Sequence, residues 1–216
     1  MQDTQTRTIA PARRTAQRGS IRSIAVAAML SAVAFVLMFL EFPIPLLIPE
    51  FVKMDFSDLP ALLGAFALGP VYGIVISLLK NLLHMLISGS TTAGIGELCN
   101  FMLGAAFSCT AGLLYRSHKS RRRALWAALA GAVAMAVFSV PLNLFVTYPM
   151  YIRMYASFGG WEAILAMYRA ILPGVNSLLE CLLVFNMPFT LLKGLLDVGL
   201  CFLIYKPLSP ILHGRR

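Results

Sequence analysis

Four polar residues near the C-terminal end have the spacing of a single helical face. They are separated by four, three and four residues, so a helix through them carries all four side chains on one side. The surrounding sequence is apolar, and such a face has to point into the protein because lipid offers no hydrogen-bond partners. We interpret Lys193 as a buried donor to a ligand carbonyl or carboxylate; the alternative is a structural ion pair with Asp197. The four residues are Asn186, Thr190, Lys193 and Asp197.

A second polar pair, Asn143 and Thr147, is spaced four residues apart and follows Pro141. A carboxamide offers both a donor and an acceptor, so Asn143 is suited to the edge of a heterocyclic ring. The alternative is a hydrogen bond to the helix that carries Lys193, since such residues often join membrane helices.

A third group of polar residues lies between residues 77 and 88. We expect this cluster to be structural or to hold a loop, with Lys80 and His84 pairing with Glu97 or Asp58. A single histidine in the apolar part of the chain gives little support to a metal site. The residues are Ser77, Lys80, Asn81, His84 and Ser88.

Motifs of ATP binding and of common catalytic centres are absent from the sequence. The glycine-rich segment GSTTAGIGE lacks the GxxxxGK[ST] pattern, and there is no HExxH or GxSxG. The chain is therefore not predicted to be an enzyme, and no catalytic residue, metal or cofactor is predicted. If it moves a solute uphill, the energy has to come from a partner or from an ion gradient.

Composition indicates that these polar residues sit in a membrane protein. The 216 residues are 59% hydrophobic and 12% charged, with a mean hydropathy of +0.79. Soluble domains are about 45–50% apolar and about 25% charged. The apolar runs are continuous rather than alternating, which indicates helices rather than barrel strands.

The 18 lysines and arginines give the orientation. Thirteen of them lie before the first apolar run, in one short loop at residues 116–123, or at the C-terminal end. The positive-inside rule places all three groups on the cytoplasmic side. A nucleic-acid surface would need these charges on one folded face with stacking aromatics, so nucleic acid is not predicted as a partner.

We therefore predict an all-α integral membrane protein, a six-transmembrane-helix bundle with both termini cytoplasmic. The bundle covers residues 21–206, between a disordered basic tail at residues 1–20 and a short basic tail at residues 207–216. The second predicted helix, LPALLGAFALG, has fewer than the about 20 residues that cross a bilayer. We therefore expect it to remain a short helix or to be shielded from lipid by protein. The predicted helices cover residues 21–40, 59–69, 71–88, 97–115, 124–147 and 185–205, with a short helix in the outside loop at 150–184.

The first helix carries a stripe of small residues at Ala28 and Ala32. Small residues four apart allow helices to approach closely in lipid. The partner is another helix of this chain or a separate subunit, and spacing does not decide between the two.

Three segments resemble a known family. The stretches EFPIPLLIPEFVKMDFSDLPALLGAFALGP, KNLLHMLISGSTTAGIGEL and MPFTLLKGLLD look like the riboflavin-specific substrate-binding subunits (S components) of energy-coupling factor (ECF) transporters. The similarity runs in order from residue 22 to residue 206. The DFSDLPALLG part is partly shared with sister subunits for other substrates.

The resemblance implies an architecture and a function. It implies a six-helix bundle in a bacterial cell membrane that binds one riboflavin near its outer surface, under the loop between helices 1 and 2. It also implies assembly with a membrane scaffold subunit and two cytoplasmic ATPase subunits, whose ATP hydrolysis drives uptake. Riboflavin would then be the transported ligand and not a cofactor.

The resemblance also assigns roles to residues. Ala28 and Ala32 match the family's AxxxA face, which docks on the scaffold, and Asn143 and Lys193 match its flavin-contacting positions. Thr190 stands where the family often has asparagine, so one double donor–acceptor contact is lost. The expected substrate-binding set is Met54, Glu97, Asn143, Asn186, Thr190 and Lys193.

Three alternatives stay open from the sequence. The same class of subunit could bind FMN or another vitamin, although a phosphate would call for more cations on the outside. A proton-driven carrier could use Asp197, Glu97 and His84 as a relay. An intramembrane enzyme or a chromophore protein could form a Schiff base through Lys193.

Overall fold

The computed structural model describes residues 12–90, 92–117, 119–154, 156 and 159–213, with the backbone alone at 12–20 and 205–213. This part of the chain is helical apart from loops and one small sheet. The α-helices are α1 (Ala12–Phe39), α2 (Leu59–Ala67), α3 (Pro70–Ile87), α4 (Ile95–Arg116), α5 (Arg121–Leu142), α6 (Tyr148–Met154), α7 (Gly160–Arg169), α8 (Leu178–Cys181) and α9 (Met187–His213). Two π-helical segments, π1 (Asn143–Thr147) and π2 (Leu182–Asn186), join α5 to α6 and α8 to α9.

Five helical segments are long and apolar enough to cross a membrane. They are Ile21–Phe39, Pro70–Ile87, Ile95–Arg116, Arg121–Met154 and Leu178–Ile204. Their outward faces are apolar: Phe145 and Leu203 are each 74% exposed, and Trp126 is 71% exposed. Such a surface is stable in lipid and not in water. The prediction of an all-α membrane protein is therefore confirmed, with five segments long enough to span the membrane.

The helix ends differ from the prediction at both termini. α1 begins at Ala12, so residues 12–20 of the predicted disordered tail are helical; residues 1–11 lie outside the described residues. Arginine, alanine and glutamine are good helix formers, which explains the extension. α9 continues to His213 through Pro207, where we expected it to end, and residues 214–216 lie outside the described part.

α2 is the short second helix that the sequence predicted. Its nine residues extend roughly 13 Å, against about 30 Å for the hydrocarbon core. Every residue from Leu59 to Phe66 is buried, which confirms that this helix is shielded by protein. Gly69 then turns the chain with φ +114°, a conformation that other residues rarely adopt, and α3 follows at once.

The α1–α2 loop (residues 40–58) reaches down into the bundle. Asp58, at its end, lies beside Gly104, halfway along α4, whereas Pro70 lies beside Gly112, near the end of α4. α2 therefore runs alongside the second half of α4. Two short antiparallel strands, β1 (Phe42–Pro43) and β2 (Lys53–Met54), close the loop into a hairpin.

The helices pack tightly at the end away from this loop. A Cβ at Gly131 of α5 would lie 2.8 Å from the Phe107 backbone oxygen of α4. A Cβ at Gly112 would lie 2.9 Å from the Pro70 backbone. Small residues thus allow α3, α4 and α5 to approach closely, and the core there is filled by Phe66, Phe107 and Tyr115.

The segment between α5 and α9 is more helical than predicted. The helix expected to end at residue 147 continues through π1 and α6 to Met154. The short helix expected in the outside loop is α7, and its Ile164, Leu165 and Tyr168 are buried against the bundle.

Candidate substrate-binding site

A cavity of about 210 Å³ lies where the α1–α2 loop meets the bundle. The loop covers it from above, α4 and the α3–α4 loop form one wall, and the two helices with π-helical segments form the other. Its lining combines apolar and aromatic side chains with a few polar groups, the usual composition of a small-molecule site. The polar side chains that reach it include Asp55, Glu97, Asn100, Asn143, Thr147, Asn186, Thr190 and Lys193.

The two π-helical segments place amides in this cavity. π1 begins at Asn143 and π2 ends at Asn186, and both side chains are buried in the cavity wall. A π-helical turn holds more residues than an α-helical one, so it changes which side chains face inward. Such turns are frequent at functional sites. Pro141 lies just before π1 and Pro188 just after π2, and each removes a backbone donor there.

Lys193 is held by the α1–α2 loop and not by its own helix. Its ammonium lies 2.9 Å from Asp55 Oδ2 and 3.1 Å from Asp58 Oδ2. Asn100 Oδ1 of α4 is a third acceptor at 3.5 Å. The alternative of a structural pair between Lys193 and Asp197 is therefore wrong: this lysine joins α9 to the loop that covers the cavity.

Asp197 is fully buried one turn beyond Lys193. Within the described part of the chain neither of its carboxyl oxygens has a hydrogen-bond partner. It is not a cavity-lining residue. The face predicted from Asn186 to Asp197 thus splits, with three residues in the cavity and Asp197 in the core below it.

Lys80 of α3 completes the charged floor beneath the cavity. Its fully buried ammonium donates to Asp58 Oδ1 at 2.5 Å and to Ser57 Oγ at 2.6 Å. Nearby, His84 Nδ1 lies 3.4 Å from Glu97 Oε1. The predicted pairing of Lys80 with Asp58 is confirmed, whereas His84 lies beside Glu97 and its Nδ1 forms no hydrogen bond among the described residues.

The carboxyl groups of the α1–α2 loop keep their charge despite burial. Burial acts to raise the pKa of Asp55, but the ammonium groups of Lys193 and Lys80 hold it well below its ordinary value of 3.8. The pKa of Asp58 is lowered too, because the same two lysines outweigh burial. Two buried carboxylates and two buried ammonium groups therefore balance one another at neutral pH.

Asn143 and Thr147 line the cavity as neighbours on π1. Asn143 Oδ1 lies 3.6 Å from Cys99 Sγ of α4, and no hydrogen bond joins its side chain to α9 among the described contacts. The buried Thr147 hydroxyl has no hydrogen-bond partner within the described residues. Both groups thus retain unused hydrogen-bonding capacity that faces the cavity.

The other predicted site residues differ in their position. Glu97 and Thr190 line the cavity, and Glu97 accepts a hydrogen bond of 2.7 Å from Ser90 of the α3–α4 loop. Met54 does not reach it: its fully buried side chain packs in the core behind the α1–α2 loop, while its neighbours Lys53 and Asp55 line the wall.

Sequence reasoning missed the aromatic part of the wall. Phe51, Tyr148 and Tyr151 line the cavity, and their ring centroids lie 6.1–6.4 Å apart. Such rings offer flat apolar surfaces to an aromatic ligand. Tyr151 continues the spacing of four from Asn143 and Thr147, which is the sequence signal that could have found it.

The family comparison agrees with this architecture. Residues 22–205 match the family model described as "ECF transporter, substrate-specific component". That range covers most of the chain, from α1 through α9. The chain belongs to this family.

Curated relatives of this S component include three transporters. It is 34% identical to riboflavin transporter RibU of Staphylococcus aureus (strain TCH60), over 85% of this chain and 88% of the relative. It is 30% identical to riboflavin transporter FmnP of Bacillus subtilis (strain 168), over 91% and 96%. Riboflavin transporter RibU of Streptococcus thermophilus (strain ATCC BAA-250 / LMG 18311) is 30% identical over 88% and 84%.

A solved structure supports the same assignment. It is described as the S component of a bacterial ECF transporter and matches with a TM-score of 0.67 and 30% identity. The match covers 91% of this chain and 99% of that chain. This S component is thus a substrate-binding membrane subunit of a transporter and not an enzyme, as the sequence predicted.

The small residues of α1 lie on its outer surface. Ala28 and Ala32 are exposed, whereas Ala27, Ser31 and Ala34 are buried against the bundle of this S component. Among the described residues the stripe is therefore not packed against another helix of the chain.

Proposed function

We propose that this S component captures riboflavin in the cavity beneath the α1–α2 loop, for uptake driven by ATP hydrolysis in partner subunits. The observation that carries the proposal is the cavity wall, in which two buried carboxamides, Asn143 and Asn186, face the same space as aromatic rings. A flavin is flat and aromatic, with carbonyl groups and ring nitrogens along one edge. The names of the curated relatives support the same ligand.

The charges around the cavity favour riboflavin over FMN. Lys193 faces Asp55 and Asp58, and Lys53 pairs with Glu41 at the rim. No lysine or arginine among the described cavity-lining residues lacks a carboxylate partner. The phosphate group of FMN would need an unpaired lysine or arginine, because a buried charge is costly unless it is paired.

Lys193 contributes a donor by exchanging a contact. Its ammonium donates to Asp55 and Asn100 and lies 3.1 Å from Asp58 Oδ2, and the Asn100 contact is the longest at 3.5 Å. A flavin carbonyl replaces Asn100 while the two carboxylates keep the ammonium in place. Asn143 and Asn186 hold the ring edge, Thr190 and Thr147 add single hydroxyl contacts, and Glu97 accepts from a hydroxyl of the ribityl chain.

The α1–α2 loop moves during loading. A volume of about 210 Å³ is below the roughly 300–1,000 Å³ typical of ligand sites. The loop contributes Ile48, Phe51, Val52, Lys53 and Asp55 to the lining, so its outward shift enlarges the cavity and opens it. Met54 acts from behind, by packing the loop against the core.

We also propose six membrane passes with both termini in the cytoplasm of a bacterium, in its plasma membrane. α2 counts as the sixth pass, since it leads from Asp58 at the cavity floor to Phe66 beside Tyr115, near the basic α4–α5 loop. That loop marks the cytoplasmic side. The cavity then faces outward, where a vitamin arrives.

The proposed partners are an ECF scaffold subunit and two cytoplasmic ATPases. The exposed stripe of Ala28 and Ala32 supports a close helix–helix contact with the scaffold, because small side chains let two helices approach in lipid. In this proposal the Schiff-base alternative has no role, since Lys193 is held as an ion-pair partner. The proton relay has no role because ATP hydrolysis in the partner subunits supplies the energy.

The absorption spectrum of the purified protein tests the ligand. We expect visible flavin bands after purification from cells supplied with riboflavin, and loss of these bands in Asn143→Leu. Gly199→Ala, on the lipid-facing side of α9 with nothing within 4 Å of the new methyl group, should retain them. A well-folded protein that neither carries flavin nor binds it on addition would contradict the proposal.

A further inference from the structure

Two tyrosines and Asn186 form a closed ring of hydrogen bonds at the edge of the cavity. The Tyr168 hydroxyl donates to Asn186 Oδ1 at 2.7 Å, and Asn186 Nδ2 donates to the Tyr148 hydroxyl at 3.1 Å. The two tyrosine hydroxyls are also hydrogen-bonded to each other. All three side chains are at least 96% buried, so water does not compete for these contacts.

With the Asn186 amide oriented as in the structure, the protons of the ring have one arrangement. A tyrosine has one hydroxyl proton, and Tyr168 uses its own on Asn186. The contact between the tyrosines must therefore use the proton of Tyr148. Each hydroxyl then donates once and accepts once, and the Asn186 amide is held in place by a donor on its oxygen and an acceptor on its nitrogen.

The ring determines what the wall offers to a ligand. Tyr148 and Asn186 line the cavity, whereas Tyr168 lies behind them on α7 and is fully buried. Tyr148 has no proton left for a ligand. Asn186 keeps one N–H donor and one carbonyl lone pair on the same amide, and this pair matches a ring edge that carries a carbonyl next to an N–H.

We propose that Tyr168 is a positioning residue that selects for this carbonyl–N–H edge by fixing the Asn186 amide and by consuming the Tyr148 proton. The inference rests on riboflavin capture at this site, and it assigns the ring edge that Asn186 reads. It also explains how position 190 can be a threonine where the family often has asparagine. Asn186, one turn earlier, supplies the carboxamide that a threonine lacks.

Tyr168 is suited to this role by its surroundings. Its ring packs 5.2 Å from that of Phe185 and 6.4 Å from that of Phe51, between π2 and the α1–α2 loop. Burial raises the pKa of its hydroxyl well above the ordinary value, so the group remains a donor at every physiological pH. Because no residue of α7 lines the cavity, this helix contributes to recognition without touching the ligand.

The test compares two probes, riboflavin and N3-methylriboflavin, in which the N–H of the ring edge is blocked. Wild type should prefer riboflavin, and Tyr168→Phe should lower the affinity for riboflavin and the preference ratio by about tenfold each, as expected for one buried hydrogen bond. In an Asn186→Ala background the same change should have less than about a twofold effect, because Tyr168 acts through that amide.

The control is Tyr115→Phe, a buried tyrosine at the opposite end of the bundle. If Tyr168→Phe matches this control in affinity and in preference ratio, the inference is overturned. If Tyr168→Phe fails to fold, Tyr148→Phe breaks the ring from its other side and must also lower the ratio; an unchanged ratio overturns the inference too. Failure of wild type to bind riboflavin would instead overturn the proposed function.

Discussion

The two ends of the bundle are built on different principles. At the cavity end, buried ions, amides and tyrosines are joined by directional contacts, such as those of Lys193 with the α1–α2 loop. At the basic-loop end, the helices approach on glycine and alanine, with no space for a side-chain methyl group at Gly112 or Gly131. Directional contacts keep a space open, whereas close packing fills it, so the same helices serve both as a receptor and as a rigid base.

The largest expected effect comes from breaking the charge balance of the cavity end. Lys80→Met leaves the buried Asp58 with one of its two cations missing, and Asp58 cannot reach water. We expect a loss of about 3–5 kcal/mol in the free energy of unfolding, because removal of one partner leaves a buried charge uncompensated. Denaturant titration of the detergent-solubilised protein measures the loss, and a change below about 1 kcal/mol would contradict the ion-pair account.

A smaller effect is expected from adding volume to the basic-loop end. The Cβ of Gly131→Ala would lie 2.8 Å from a backbone oxygen of Phe107, which cannot move aside as a side chain can. We expect about 1–3 kcal/mol of destabilisation, with riboflavin affinity unchanged in the protein that remains folded. The matched variant Gly199→Ala meets nothing within 4 Å and should not destabilise. Equal behaviour of the two variants would show that this end is not close-packed.

Acid should weaken the cavity end selectively. The pKa of Asp55 is lower in the folded protein than its ordinary value of 3.8, so the carboxylate contributes its full stabilisation above that pH. The contribution is lost as the pH falls below this value toward the depressed pKa of the folded state. Asp55→Asn should therefore show a flatter stability profile than wild type below about pH 4. Parallel acid profiles of the two proteins would exclude Asp55 as the responsible group.

The smallest effect is expected at the rim of the cavity. Lys53 pairs with Glu41, but its side chain is 45% exposed, so solvent screens the pair. Lys53→Met should change the stability by no more than about 1 kcal/mol. The contrast with Lys80→Met isolates burial as the cause, and a loss of similar size in both variants would remove that distinction.

The buried ion pair of Lys80, the shielded α2 and several cavity-lining residues could be predicted from the sequence. Lys80 with Asp58 and His84 with Glu97 followed from ionisable groups that need partners in an apolar setting. The shielded α2 followed from its length. The cavity positions of Asn143, Asn186, Thr190 and Lys193 followed from period and resemblance, because a regular helix turns a fixed angle per residue.

The remaining features depend on contacts that spacing does not contain. The partner of Lys193 is Asp55, 138 residues away, and only the descent of the α1–α2 loop brings them together. The π-helical segments depart from the 3.6-residue period on which the prediction relied. Tyr168 lies on none of the polar faces that the spacing predicted, and its position behind the cavity wall depends on the packing of α7.

Titration of riboflavin fluorescence with the purified wild-type protein tests the central claim most directly. The account predicts saturable quenching at one site per chain, with a Kd below about 1 μM and a large loss of affinity in Asn143→Leu. FMN should compete poorly, because the cavity holds no unpaired cation for its phosphate among the described lining residues. Absence of quenching by a folded protein, or equal binding by Asn143→Leu, would contradict riboflavin capture at this site.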